Sequence, residues 1–152
     1  MDMGKLATDI SSAEGCRLEA YKDTLGYWTI GYGHKLSVGK DWSGLVWTQT
    51  QADTQLHYDI ALRGVYPARA LKDWQFLDTD ARQNAVAELC FNMGVAHWSE
   101  FVETRRAIWD GRWEDVRTGL LNSEWAHQVQ PEGLDRPGRA TRIANYLATG
   151  AF

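Results

Sequence analysis

Residues Glu14-Gly15-Cys16-Arg17-Leu18-Glu19-Ala20-Tyr21-Lys22-Asp23, followed five residues later by Thr29-Ile30-Gly31-Tyr32-Gly33-His34, decide how this chain is read. Upstream, Met3, Leu6, Ala7, Ile10 and Ala13 recur at three- and four-residue steps, which predicts a helix with Asp2 as N-cap and Gly15 as its stop. Glu14 then falls in or just past the last turn. Downstream, Leu18 to Leu36 reads as strand, with Lys22 to Gly26 as its turn. Alternation puts Trp28, Ile30 and Tyr32 on a core face. Thr29, Gly31 and Gly33 fall on the other, nearly bare, as a surface closely approached by a ligand would be.

The rest of the chain is helical in pattern. Thr48 with Gln51 predicts a capping box, opening a helix through Ala52, Leu56, Ile60, Leu62 and Val65 that Pro67 breaks or bounds. Asp78 to Asp80 supply caps for a helix with Ala81, Ala85, Val86, Leu89, Cys90 and Met93 on its apolar side, ended by Gly94. Phe101 to Trp109, Trp113 to Leu121 and Arg139 to Leu147 read as further helices, with Gln130 to Gly138 as the connection before the last. The expected class is α+β.

Composition narrows the function. The chain has 152 residues, 44% hydrophobic and 24% charged, which fits one ordered domain or two small lobes. Sixteen Lys and Arg against twenty Asp and Glu give −4, which argues against a nucleic-acid partner. No apolar run reaches the roughly 18 residues of a membrane span, and the first residues show no secretory pattern. Two cysteines far apart are expected to be reduced thiols, and four histidines without ligand spacing predict no metal and no cofactor. Eight Trp exceed what such a core needs, so some are expected to serve a ligand.

Glu14 at a helix end, Asp23 at a hairpin turn and Thr29 on the bare strand face are expected to converge. Two carboxylates and a hydroxyl suit hydrolysis of a glycosidic bond, one acid protonating the leaving oxygen while the others handle water. The negative end of the helix dipole disfavours ionised Glu14, whereas backbone donors in the turn keep Asp23 charged. The alternative is a surface Glu, a turn Asp and a strand Thr with no shared task.

The quoted string resembles the T-even phage lysozyme and lambdoid endolysin family, glycoside hydrolase family 24: Glu-Gly-x-Arg-Leu, Tyr-x-Asp, then Thr-Ile-Gly-x-Gly-His, with Glu and Asp nine residues apart and Thr six further on. Phe91-Asn92-Met93-Gly94 and the run Gly133-Leu134, Arg136, Arg139, Arg142 continue the resemblance. It implies a muramidase that cleaves the β-1,4 bond between N-acetylmuramic acid and N-acetylglucosamine, with Glu14 as acid, Asp23 and Thr29 acting on water, and inversion. It implies two lobes with a cleft between them: a sheet lobe at about 16–47, a joining helix at about 48–66, and a helical lobe at about 67–152 plus helix 2–14. Substrate contacts are implied for Tyr32, Phe91, Asn92 and Thr104, a His34–Asp59 ion pair for structure, and contact of Arg139 with Glu14. The implied protein is a monomer that acts on peptidoglycan, accumulates in the host cytoplasm, and depends on a membrane-permeabilising holin.

Other readings compete. Arg136, Arg139 and Arg142 also suit a solvated helix face. Cys16 beside the motif raises a cysteine-dependent wall peptidase, against a small buried thiol. Trp28, Trp109, Trp113 and Trp125 sit at core spacings, while Trp42 and Trp47 lie in a loop where they would stack on sugars. That raises a non-catalytic carbohydrate-binding module as a second rival.

Overall fold

The computed structural model describes residues 1–129 and 138–152, and Gly133, Leu134 and Arg136 of the C-terminal motif lie outside them. Helix α1 (Met3–Glu14) buries Leu6, Ala7 and Ile10, one face of its predicted stripe. Gly15 ends it at φ +67°, its N–H bonded to Ser11 O, because a side chain would strain a left-handed stop. Three strands follow, β1 (Arg17–Lys22), β2 (Trp28–Gly31) and β3 (His34–Lys35), forming an antiparallel sheet in that order.

Helix α2 (Gln49–Asp59) opens on the expected capping box: Gln51 N donates to Thr48 Oγ1 and Thr48 N to Gln51 Oε1, at 3.2 and 2.8 Å. It packs on β2 and β3. Pro67 does not stop the helical run. A π-helical segment, Ile60–Val65, follows α2, and Pro67 lies in the first turn of α3 (Tyr66–Ala70). The proline ring would press on the carbonyl four residues earlier, and a π turn widens the helix at that point.

A 3₁₀ turn (Lys72–Phe76) leads to α4 (Asp80–Met93), capped by the Thr79 hydroxyl. Most α4 side chains from Ala81 to Phe91 are buried, so the helix has core contacts around its circumference instead of one apolar side. Around it come α5 (Val95–Ser99), α6 (Val102–Trp109), α7 (Trp113–Leu121), α8 (Glu124–Val129) and α9 (Arg139–Thr149), with α9 against α7, α4 and α8. Buried Arg82 holds the end of α9: its Nε and Nη2 donate to Leu147 O and Ala148 O, and its guanidinium lies 3.6 Å from the Trp113 ring centroid. α5 and α8 escaped the sequence reading because they are one or two turns long, too short for periodicity to register. The class is α+β as expected.

The chain divides into two compact units, Gly4–Leu62 and Met1–Met3 with Arg63–Phe152. In the second, Gly64 allows the π segment to approach α4: a Cβ there would lie 2.8 Å from Ala87 O and 3.3 Å from Phe91 Cβ. Alanine ordinarily gains about 1 kcal/mol over glycine in a helix. Overpacking against fixed backbone costs about 1–3 kcal/mol and outweighs it. Gly64→Ala is therefore expected to lower the thermal transition by a few degrees in a calorimetric scan. An unchanged or higher transition would mean that the contact yields.

Candidate active site

Glu14, Asp23 and Thr29 all belong to the Gly4–Leu62 unit. Glu14 is exposed at the last position of α1, and its Oε2 sits 3.9 Å from where a Cβ on Gly33 would be. The helix end and the Gly-x-Gly segment of the strand motif are therefore neighbours. Asp23 follows β1, and its Oδ1 accepts from Leu25 N and Tyr27 N, both at 2.9 Å. Thr29 is buried in β2, its hydroxyl donating to Tyr27 O at 3.1 Å. That carbonyl also accepts from Asp23 N at 2.9 Å. One peptide oxygen thus ties Asp23 and Thr29 together.

The face carrying Thr29 is not bare. Thr29 is 3% exposed, and a Cβ on Gly31, at φ +65°, would meet Trp47 Cζ3 at 3.2 Å and Ala52 Cβ at 3.5 Å. Glycine at 31 makes room for packing by this unit's own α2 and Trp47. Trp47 is accordingly a packing residue, 5.8 Å from the His34 ring, and remains half-buried. Trp42 is half-buried, its Nε1 donating to Ser37 O at 3.0 Å.

Sequence reasoning missed Lys35. It is the β3 partner of Thr29, so the two side chains share a face of the sheet. Its Nζ lies 3.3 Å from Asp23 Oδ2 and 4.6 Å from the Tyr27 ring centroid. The Asp23 carboxyl is held below its usual range, first by the Tyr27 N–H, then, against some desolvation, by the Leu25 N–H and the Lys35 ammonium. Lys35→Met removes the last of these. If hydrolysis needs ionised Asp23, the acid limb of the rate–pH profile is expected to move to higher pH, because the carboxylate now protonates sooner as pH falls. An unmoved acid limb would detach Lys35 from the chemistry.

His34 Nδ1 lies 2.9 and 3.2 Å from the two Asp59 oxygens, and Gln55 Nε2 donates to Asp59 Oδ1 at 2.9 Å. The His34–Asp59 pairing therefore stands in the geometry. Tyr32 donates to Asp53 Oδ1 at 2.9 Å and accepts from Gln49 Nε2 at 3.0 Å, while burial and then Asp53 raise its phenol pKa.

The remaining expected residues belong to the other unit. Phe91 is buried with the Arg63 guanidinium 4.5 Å from its ring. Asn92 Oδ1 accepts from Trp125 Nε1 at 2.7 Å. Thr104 is buried, and a Cβ on Gly119 of α7 would come within 2.6 Å of its Oγ1. Arg139 Nε lies 3.3 Å from Glu88 Oε1 of α4, while Arg142 grips both Glu88 oxygens at 2.7 and 2.8 Å. Buried Glu88 gives the arginine spacing a packing role that a solvated face would not have.

Both cysteines are free. Cys16 is exposed, correcting its reading as a small buried thiol. Burial, foremost, pushes the Cys90 thiol up to about 12, which leaves it protonated and inert. Among the described residues, no group of three or more His, Cys, Asp or Glu is arranged to hold a metal ion, and no helix is long and apolar enough to cross a membrane.

A family model described as Phage lysozyme matches residues 11–142, from the end of α1 into α9. The chain belongs to the phage lysozyme family. Probable T4-type lysozyme 1 of Dictyostelium discoideum is 26% identical over 162 residues, 91% of each chain. Peptidoglycan hydrolase gp36 of Pseudomonas phage phiKMV is 32% identical over 121 residues, 80% of this chain and 13% of that protein. The endolysin of Acyrthosiphon pisum secondary endosymbiont phage 1 is 38% identical over 90 residues, 57% of this chain and 55% of that protein. The protein is a lysozyme-type glycoside hydrolase with an α+β, lysozyme-like fold. Within this phage lysozyme the matched span includes Glu14, Asp23 and Thr29.

Proposed function

We propose that this lysozyme is an endolysin that hydrolyses the β-1,4 bond between N-acetylmuramic acid and N-acetylglucosamine of peptidoglycan, with inversion, to lyse a bacterial host. The observation that carries the reading is the shared Tyr27 carbonyl joining Asp23 to Thr29 in the unit whose helix end presents Glu14 beside Gly33. Glu14 donates a proton to the leaving oxygen. The Thr29 hydroxyl spends its proton on Tyr27 O, so its lone pairs accept from a water that Asp23 also accepts from. Asp23 takes that water's proton as it attacks the anomeric carbon from the opposite ring face. Arg139 is proposed to steady Glu14 between turnovers, and Tyr32, Phe91, Asn92 and Thr104 to contact or frame the sugar chain. The setting proposed is the host cytoplasm, for a monomer released to the wall when a holin opens the membrane.

Digestion of purified peptidoglycan, assayed for new reducing ends and new free amines, tests the reading. Reducing ends without amines support it. Amines alone would replace it with the Cys16 peptidase, and binding without either product with a carbohydrate-binding module. Proton NMR of the earliest product is expected to show the α-anomer; a β-anomer at that stage would contradict inversion.

A further inference from the structure

The hairpin has a second face. Lys22 and Trp28 are ladder partners and therefore point the same way, opposite to the pair Thr29 and Lys35. On that side a groove of about 490 Å³ opens between the hairpin (Lys22, Tyr27, Trp28) and the loop after β3 (Val38, Lys40, Asp41). The volume falls within the range of small-ligand pockets. We propose that this groove is an auxiliary subsite for the carboxylate-bearing peptide stem of a peptidoglycan strand, an inference that rests on the muramidase reading above.

Charge selects the ligand class. The Lys22 ammonium lies 5.4 Å from the Trp28 ring centroid, and that of Lys40 4.1 Å from the Trp42 ring. Among the described residues neither has a carboxylate within ion-pair distance; Lys35, on the hairpin's other face, is matched by Asp23. Asp41 is the acidic liner, and its Oδ1 is engaged by Ser43 N at 2.9 Å. Two ammoniums against one committed carboxylate leave a local excess of one positive charge on a chain whose net charge is −4. Such a site suits isolated carboxylates and not a dense polyanion, whose binding grows with the number of charges neutralised.

In peptide-bearing glycan the sugars carry no charge for these lysines, because the lactyl carboxyl of each muramic acid is tied up in the amide that holds the stem. The stem peptide, by contrast, alternates carboxylates with small methyl side chains. Exposed Val38, with half-buried Trp28, presents apolar surface for those methyls. Trp42 thereby acquires a role different from a sugar platform. Its indole, anchored on Ser37 O, carries the Lys40 ammonium at the groove.

The disaccharide-tetrapeptide that a muramidase releases is the probe, titrated into the intact chain and followed by amide NMR. The amides of Gly26 to Trp28 and Val38 to Ser43 are expected to shift. Amidating the probe's carboxylates, or the double variant Lys22→Gln with Lys40→Gln, is expected to weaken binding about tenfold, each exposed pair supplying up to about fivefold. The same variant should raise the ratio of KM on peptide-bearing glycan to KM on peptide-free glycan with amidated lactyl carboxyls about tenfold. Equal shifts with the amidated probe, the peptide-free disaccharide with its lactyl carboxyl amidated, or inorganic phosphate would overturn the subsite. Failure of the two readings is distinguishable. Reducing ends formed from peptide-free glycan while the groove amides stay still sink the subsite alone; groove shifts without any new reducing ends sink the muramidase.

Discussion

Glu14→Gln is expected to lower the rate of reducing-end formation from peptidoglycan about 10²–10⁴-fold, the usual worth of a general acid. Glutamine keeps the shape of the side chain at the end of α1 and removes only the transferable proton. Glu14 is exposed, and a surface carboxylate contributes at most about 1 kcal/mol through ion pairing, so the thermal transition should move by no more than about 4 °C. The measurement pairs initial rates with a calorimetric scan of the same preparation. A variant that stays folded and retains more than about a tenth of the rate would remove Glu14 from the acid role. If the digest yields new free amines instead of reducing ends and thiol alkylation abolishes them, Cys16 chemistry takes its place.

Asp73→Ala is expected to destabilise the protein by about 3–5 kcal/mol, because it removes one partner of a fully buried charge network. Asp73 is 0% exposed in the 3₁₀ turn before α4. Its Oδ1 accepts from Trp109 Nε1 at 2.7 Å, and its Oδ2 from Trp98 Nε1 at 3.1 Å and Arg105 Nε at 2.8 Å. Deleting the carboxylate strands two indole N–H groups and a guanidinium at once. For a chain of this size the transition should fall by roughly 6–20 °C. Asp73→Asn keeps one acceptor but turns an amide donor toward a donor, so it is expected to fall between wild type and alanine. Hydrolysis per folded molecule, measured well below the transition, should be unchanged in both variants. A large loss of rate without a loss of stability would show that Asp73 serves the chemistry instead of the core.

Much of the fold was legible because its signals are local. The periodicity of α1, the Thr48–Gln51 box and the glycine stops at 15 and 94 each depend on residues within a turn or two of one another. The passage of the helix beyond Pro67 was not legible, since nothing in a sequence marks a π turn. Nor was the reason for several tryptophans. Spacing placed Trp109 and Trp125 in the core, but their value there lies also in their N–H groups, which reach Asp73 and Asn92 across 36 and 33 residues of chain. The opposite error arose at Gly31. Two glycines and a threonine looked like an open surface, and the gap is filled by Trp47 and Ala52 from later in the chain.

The sequence by itself determined the identity of the candidate catalytic groups and the turn that keeps Asp23 ionised, because an Asx-type turn is written in neighbouring residues. Only the tertiary structure decided which groups surround them. Ladder register set Lys35 opposite Thr29 and Lys22 opposite Trp28, dividing the hairpin into a face with the candidate catalytic Thr29 and a face with the residues of the groove. The physical reason is that strand pairing and helix packing bring together residues far apart in the chain. A carboxylate's partners are chosen by that juxtaposition, whereas its own backbone turn is chosen by the residues beside it.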